Sequence, residues 1–426
     1  MIRTASFLVL ALAVPGAARA RGRLVTLDAA LERAREANER FQLADEELRR
    51  ARLARDRAWA ALLPTLRASG SFTHSDREIT RDFGGESVVF LKQDAFAGSV
   101  NAQVTLFKGT AVPELMRAYR LAAAAEQTHR WNRATLEFEV ARAYLAALSA
   151  KNLVSAAERT LKSADEHLEA ARARRQAGEA LAIDVTRARI ERVQARGELT
   201  RARNALEGST DYLAFLLGRR PPIAVERPRL PATAKKLAGD PMQRPDVKAS
   251  ALRAEAAQKA VTGSWLDYLP SLGAVWNYEA TQNTGFSGDP DSWRLIFTLD
   301  WVLFDGGLRR AARHEQASLL REARLRQRLL RREVRHLVRQ ARRDLGTAQV
   351  NLETAREQLQ LAQKNRELVL SRYRAGLGTS LELVEADDAL RKAEVAVIGG
   401  ELELALRGLE LCRTLGLDPR GRTIGG

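Results

Sequence analysis

Glu382 and Glu385 stand three residues apart, a spacing that sets two carboxylates on one face of a helix. Like charges this close repel unless cations or protons bind them, so the pair has the makings of a cation-favouring site. The ordinary alternative is a solvated helix face, where glutamates usually sit, and Asp387 and Asp388 nearby fit that description better. Other chemistries lack their residues. His74, His129, His167, His314 and His336 fall into no metal-ligand spacing, and neither a phosphate loop nor a serine, histidine and acid pattern is present. The single cysteine, Cys412, excludes an intramolecular disulfide framework and a cysteine-rich metal site. Among Leu409, Leu411 and Leu415 it reads as a buried small hydrophobe. No cofactor, no resident metal and no enzymatic activity are expected.

The two glutamates follow a turn, Arg372-Tyr373-Arg374-Ala375-Gly376, and that turn occurs twice. Its earlier copy is Arg174-Arg175-Gln176-Ala177-Gly178, and the two stay in step through Leu217-Gly218 and Leu415-Gly416. Asp184 holds the place in the first copy that Glu382 holds in the second. Further upstream, Leu63-Pro64-Thr65-Leu66 recurs as Leu269-Pro270-Ser271-Leu272, and Leu106-Phe107-Lys108-Gly109 as Leu303-Phe304-Asp305-Gly306. A repeat of roughly 200 residues is far longer than a solenoid unit, so the chain reads as two copies of one half-structure.

Each copy is mostly helical. From Thr110 to Ala177 there is no glycine, and the one proline, Pro113, falls where a first helical turn tolerates it. At 1.5 Å per residue such a helix is on the order of 100 Å long. The second copy runs from about Leu308 to Ala375 with Gly346 inside it. Leu153, Ala157, Leu161, Ala164, Leu168 and Ala171, and again Leu345, Ala348, Leu352, Ala355, Leu359 and Ala362, follow three-and-four spacing. This is a heptad-like seam suited to close antiparallel coiled-coil packing.

Between the Leu-Pro and Leu-Phe signals the period changes from helical to alternating. Phe96, Gly98, Val100, Ala102, Val104 and Leu106 share one strand face, as do Leu295, Phe297, Leu299, Trp301 and Leu303. Their partners carry Leu66, Ala68, Gly70 and Phe72, and Leu272, Ala274, Trp276, Tyr278 and Ala280. Runs of about ten residues, apolar on one side and polar on the other, match transmembrane β-strands. The stretches around 82–86 and 285–291 are polar and glycine-rich, as loops between hairpin strands are. Four strands cannot close a barrel, and open edges do not persist in lipid, so the chain must oligomerise. Trp59, Trp265 and Trp301 sit near strand ends, where tryptophan anchors at a lipid interface.

Arg3, an apolar run from Phe7 to Val14, Pro15-Gly16 and Ala18-Arg19-Ala20 have the order of a secretory signal peptide cleaved after Ala20. No other stretch approaches the length of a membrane helix. The net charge is +16, of which Arg3 and Arg19 supply two, leaving +14. Such a balance suits nucleic acid, anionic lipid or acidic surfaces, and export removes most of the nucleic-acid reading. Thirteen arginines between Arg309 and Arg343 form either a solvated face or a set of which some line an interior surface or sit near lipid phosphates. The expected organisation is a signal peptide over 1–20, a first repeat over 21–218 with a hairpin at about 65–107, a proline-rich segment over 219–243, a second repeat over 244–418 with a hairpin at about 271–304, and a tail over 419–426.

In this order, twice, these motifs resemble the TolC-like outer-membrane efflux proteins, the outer-membrane factors of tripartite pumps and type I secretion systems. Arg244-Pro245-Asp246 at the opening of the second copy belongs to the likeness too. The resemblance implies a mainly α fold with a transmembrane β part. A homotrimer would give four strands per chain to a 12-stranded barrel, continued by a periplasmic α-helical coiled-coil barrel. It implies a passive exit duct in the outer membrane, with a periplasmic adaptor of the membrane fusion type and an inner-membrane pump of RND, ABC or MFS type as partners, and no nucleic acid. Ala177, Gly178, Ala375 and Gly376 would be its periplasmic tips for adaptor contact. Glu382 and Glu385, repeated threefold, would ring its entrance with six carboxylates in two layers, and Tyr373 would be a candidate gate residue. The family's arginine partner to that tyrosine is Gly378 here; Arg372, Arg374, Arg391 and Lys392 are the basic residues near enough to replace it. A reading from a different class is an exported coiled-coil scaffold that binds anionic surfaces through its arginines.

Overall fold

The structure is a computed structural model describing residues 23–83, 85–226, 239–284 and 289–424. The expected signal peptide, Pro228 and Pro231, and residues 285–288 of the second loop lie outside the described residues. The elements in order are β1 (Arg23–Val25), α1 (Leu27–Ala37), α2 (Glu39–Ala60), β2 (Thr65–His74), β3 (Ile79–Phe83), β4 (Glu86–Leu91), β5 (Asp94–Phe107), α3 (Ala111–Gln176), α4 (Ala182–Leu216), β6 (Ile223–Val225), α5 (Pro245–Leu266), β7 (Ser271–Thr281), β8 (Asp291–Asp300), α6 (Leu308–Arg374) and α7 (Ser380–Thr414). The two long glycine-poor runs are single helices, α3 of 66 residues and α6 of 67. Pro113 sits in the first turn of α3, where its missing N–H has no helical partner to lose. No described helix is long and apolar enough to cross a membrane.

The chain divides into two compact units. One takes the described residues of Glu39–Leu136, Lys235–Arg343 and Glu410–Gly426. Its centre is an antiparallel sheet in the order β2-β5-β7-β8. Register carries the apolar face across all four strands, through Leu66, Ala102, Trp276 and Leu295 in one row and through Ala68, Val100, Tyr278 and Trp293 in another. Phe72 and Phe96, directly opposite, bring their rings to 4.9 Å between centroids. The other face holds Arg67, Asn101, Asn277 and Arg294 in a row, where the Asn101 amide donates to the Asn277 side-chain oxygen. Ser69 and Ser99 face each other there at 2.8 Å.

Two strand expectations are corrected. Trp301 and Leu303 lie beyond β8, which ends at Asp300 opposite Ser271, the first residue of its partner β7. Past that point the backbone bonds to the start of α6 instead of a ladder. Arg309 donates to the Val302 carbonyl at 2.6 Å, and Asp305 accepts from the Arg309 and Gly307 amides at 2.9 and 3.0 Å. These bonds, the Arg309 amide first, hold the Asp305 carboxyl at about 2. The glycine-rich stretch near residue 82 is also more ordered than a plain loop. β3 and β4 pair there as a small antiparallel hairpin, with Ile79 opposite Leu91.

The same unit is anchored by Arg244. Its guanidinium is bidentate to Asp246 at 3.0 and 2.7 Å, donates to the Thr414 carbonyl at 3.4 Å, and lies 4.4 Å from the Trp131 ring centroid. The side chain is buried, so all three partners act on a desolvated cation. Among the basic cluster, Arg313 covers the Trp265 ring at 4.1 Å, Arg324 donates to Gln258, and Arg326 pairs with Glu322. These arginines serve the helix surface locally.

The second unit takes the described residues of Met1–Asn38, Glu137–Ala234 and Asp344–Leu409. β1 and β6 pair in parallel. Tyr144, fully buried, sets its hydroxyl 2.9 Å from the Val25 carbonyl and 2.8 Å from that of Glu226. Lys151 donates to the Val225 carbonyl at 2.8 Å, and Asn38 to that of Leu216 at 2.9 Å. The seam is buried over part of its length: Ala164, Leu168 and Ala171 are buried, as are Leu345, Ala348, Leu352 and Ala355, whereas Leu153, Ala157, Leu161, Leu359 and Ala362 are half-buried. Where Gly400 meets Leu352, an added Cβ would stand 3.2 Å from its Cδ1, so the glycine lets the two helices approach closely there.

Candidate functional site at the paired helix turns

The turns α3-α4 and α6-α7 share one construction. Gly178 and Gly376 adopt φ of 80° and 75°, a conformation that costs a residue with a Cβ about 1 kcal/mol or more. Around each glycine the last helical carbonyls are taken up in crossed bonds. The Glu179 and Gly178 amides donate to Arg174 and Arg175, and the Leu377 and Gly376 amides to Arg372 and Tyr373. This is the Schellman arrangement that ends a helix cleanly. Ala177, Gly178, Ala375 and Gly376 are all exposed, and so are the apolar Leu181 and Leu377 that follow.

The helices that leave the turns start with matching caps. Glu382 accepts from the Thr379 amide at 3.1 Å while its own amide donates to the Thr379 hydroxyl at 3.2 Å, a reciprocal capping box. In α4 the Asp184 carboxylate accepts from the Leu181 amide at 3.1 Å. Its other oxygen meets the Ser380 hydroxyl at 2.5 Å, and Arg187 reaches that hydroxyl at 3.4 Å. The Ser380 bond first, then the Leu181 amide and the Arg187 charge, lower the Asp184 carboxyl below its ordinary range. Glu385, one turn beyond Glu382, is exposed and has no partner among the described residues.

Tyr373 is partly buried, and the guanidinium facing its ring, at 4.9 Å, belongs to Arg174. None of the basic residues near Gly378 in sequence takes that role. Arg372 turns to the Leu377 carbonyl at 3.4 Å, and Arg391 is held by Glu198 at 2.7 Å and Asp388 at 3.0 Å. Arg174 escaped the sequence reading because it stands on the other turn. Its one signal there is its position, the repeat counterpart of Arg372. At Gly378 an added Cβ would lie 3.2 Å from both the Glu382 carboxylate and the Tyr373 amide, so this position is crowded.

Between the two turns lies a cleft of about 660 Å³ that touches Arg174, Asp184, Tyr373 and Ser380. One turn beyond Leu383 and Val384 of that wall, Asp387 is not the solvated residue its sequence neighbours suggested. It is largely buried and bound to Arg366 at 2.5 Å, with His167 at 3.5 Å. His167 meets Glu191 at 3.3 Å, and that bond raises the imidazole above its ordinary value against the opposing effect of burial.

The turns therefore present capped, charged helix starts beside exposed apolar residues, with no array of groups for covalent chemistry among the described residues. A sequence profile for outer membrane efflux proteins matches residues 30–219 and 242–417. The antibiotic efflux pump outer membrane protein ArpC of Pseudomonas putida is 24% identical over 375 residues, covering 84% of this chain and 76% of that protein. Among solved structures, the outer membrane protein VceC of Vibrio cholerae matches with a TM-score of 0.77 at 19% identity, over 92% of this chain and 96% of that one. The open state of the MtrE outer membrane channel of Neisseria gonorrhoeae matches with a TM-score of 0.76 at 20% identity, over 93% and 90%. The structural likenesses show a common fold. The profile takes in both halves of the repeat, with both Leu-Pro entries, both Leu-Phe exits and both glycine turns, and so the chain belongs to the outer membrane efflux protein family, as an exit channel of the outer membrane.

Proposed function

We propose that three copies of this chain join their sheets into a 12-stranded barrel, four strands from each, and their long helices into a periplasmic tunnel. A periplasmic adaptor and an inner-membrane pump of RND, ABC or MFS type deliver substrate to that tunnel, and the pump supplies the energy. The channel itself is a passive conduit. The relative ArpC is an antibiotic efflux pump outer membrane protein, which supports the efflux form of such a system.

The observation that carries this reading is the bare sheet. β2 and β8 each have a strand neighbour on one side only, and Leu66, Phe96, Phe297 and Leu299 are all more than half exposed. An apolar face of this extent calls for lipid or protein cover, and unpaired edges within lipid call for further strands. Closing with two more copies satisfies both demands.

At the other end, Glu382 and Glu385 supply the entrance carboxylates, and Tyr373 with Arg174 is the candidate gate contact. Glu382 is partly committed to capping Thr379, so Glu385 is the more available of the two for a passing cation. Ala177, Gly178, Ala375 and Gly376, flanked by exposed leucines, are the surface offered to the adaptor. Single-channel recording in planar bilayers tests the reading: discrete pores are expected, and purified trimer that leaves the bilayer silent under all voltages would contradict it.

A further inference from the structure

Leu168 and Ala171 of the α3 seam pack on Val185 and Ala188 of α4, but apolar packing does not explain why a histidine and two carboxylates meet beside it. His167 on α3, Glu191 on α4 and Asp387 on α7 retain side-chain exposures of 15%, 17% and 14%. One donor atom from each lies within 4.8 Å of the other two. His167 Nδ1 is 3.3 Å from Glu191 Oε1 and 3.5 Å from Asp387 Oδ2. Both are long for charge-assisted hydrogen bonds, which close to about 2.8 Å. They also match the edge of a coordination tetrahedron: donors about 2.1 Å from a zinc-sized ion stand about 3.4 Å apart.

Two further observations point to a cation site. Glu191 Oε2 and Asp387 Oδ2 are buried without a hydrogen-bond partner, an arrangement that buried carboxylate oxygens avoid. Arg366 holds the remaining Asp387 oxygen at 2.5 Å and is itself braced on Ser163 at 3.2 Å, so Oδ2 is aimed at the imidazole. Outer partners of this kind orient metal ligands. The trio is also no by-product of the internal repeat, since its counterparts in the other copy are Asn365, Ala389 and Arg189.

We propose that His167, Glu191 and Asp387 bind a divalent transition-metal ion of the zinc class, with water completing its coordination. An imidazole nitrogen with two carboxylates suits zinc or cobalt and disfavours magnesium and calcium, which take oxygen donors. The ion joins three helices beside the cleft at the turns and fixes their spacing. Access is from that cleft, which His167 and Glu191 line.

The test is calorimetric titration of the detergent-solubilised full chain, stripped of metal, with Zn²⁺ and with Mg²⁺, and with Co²⁺ followed by visible absorption. One Zn²⁺ per chain is expected, with the absorption of a low-coordinate Co²⁺ site and no response to Mg²⁺. His167→Ala and Glu191→Gln should each weaken Zn²⁺ at least roughly tenfold. Glu191→Gln keeps side-chain size and leaves the Arg366 pair intact, so it decides the matter if His167→Ala loses helix content. His336→Ala, at an exposed position, should change nothing. Absence of saturable Zn²⁺ binding overturns the site, as does binding that survives both ligand variants or is lost in His336→Ala. Because channel activity plays no part in the readout, failure here leaves the transport reading intact.

Discussion

Asp184 and Ser380 meet at 2.5 Å, tying the start of α4 to the start of α7 although the residues are 196 positions apart. Each belongs to one copy of the repeat, so this bond joins the two turns of a single chain. Ser380→Ala should loosen both turns by about 1 kcal/mol, the usual net worth of such a bond. Hydrogen exchange of residues 177–184 and 375–384 should speed up together; unchanged rates would deny the bond a mechanical role. Its pH dependence has a definite sign. The folded carboxyl lies below its ordinary value, so the bond contributes fully above about pH 4. The contribution is lost as pH falls through the lower, folded value.

Glu382 and Glu385 should set a cation preference in the conducting pore. The double change to glutamine should bring the reversal potential in a salt gradient towards zero, with Glu385→Gln alone giving the larger share because Glu382 is engaged with Thr379. Reversal potentials that stay at the wild-type value would remove both residues from the conduction path.

Gly376→Ala and Gly346→Ala should move stability in opposite directions. The first forces a Cβ into positive φ and should cost about 1 kcal/mol. The second lies inside α6 with nothing within 4 Å of an added Cβ, and should gain about 0.5–1 kcal/mol from helix propensity. Thermal melts followed by circular dichroism compare the two; melting points shifted the same way would contradict the local account.

How much of this was legible in the sequence depends on range. α3 and α6 could be read almost to the residue because alanine, leucine, arginine and glutamate run on without a breaker, and the sheet faces could be read because alternation is a local signal. β3 and β4 escaped because the strands are only five and six residues long and flank a glycine-rich turn. Trp301 and Leu303 kept the alternation after the partner strand had ended. The contacts of Arg174 with Tyr373, of Asp184 with Ser380, and of His167 with Glu191 and Asp387 bring together different helices. No spacing rule along one helix reports such contacts.

Arg244→Ala should be among the most damaging single changes. It leaves Asp246 without its bidentate partner and the Trp131 ring without the nearer of its two guanidiniums, and loss of one member of a buried pair costs about 3–5 kcal/mol. Yield of folded protein and denaturant midpoint should both fall sharply; a variant as stable as wild type would show that the cluster is dispensable.

Cys412 should resist thiol reagents in the folded protein. It is 1% exposed, and burial pushes its thiol up to about 11, so the reactive thiolate is scarce near neutral pH. Ellman's reagent should report no free thiol until denaturant is added, whereas prompt labelling would mean the end of α7 opens readily.

The central claim is that the sheet is complete only in a trimer. The measurement that reaches it most directly is the mass of the species extracted from the outer-membrane fraction in detergent, read by light scattering with the detergent contribution removed. The account predicts three chains of 47.2 kDa, less the signal peptide if it is cleaved. A monomer or dimer that leaves the cell envelope in a detergent-free buffer would contradict it and favour a soluble coiled-coil scaffold instead.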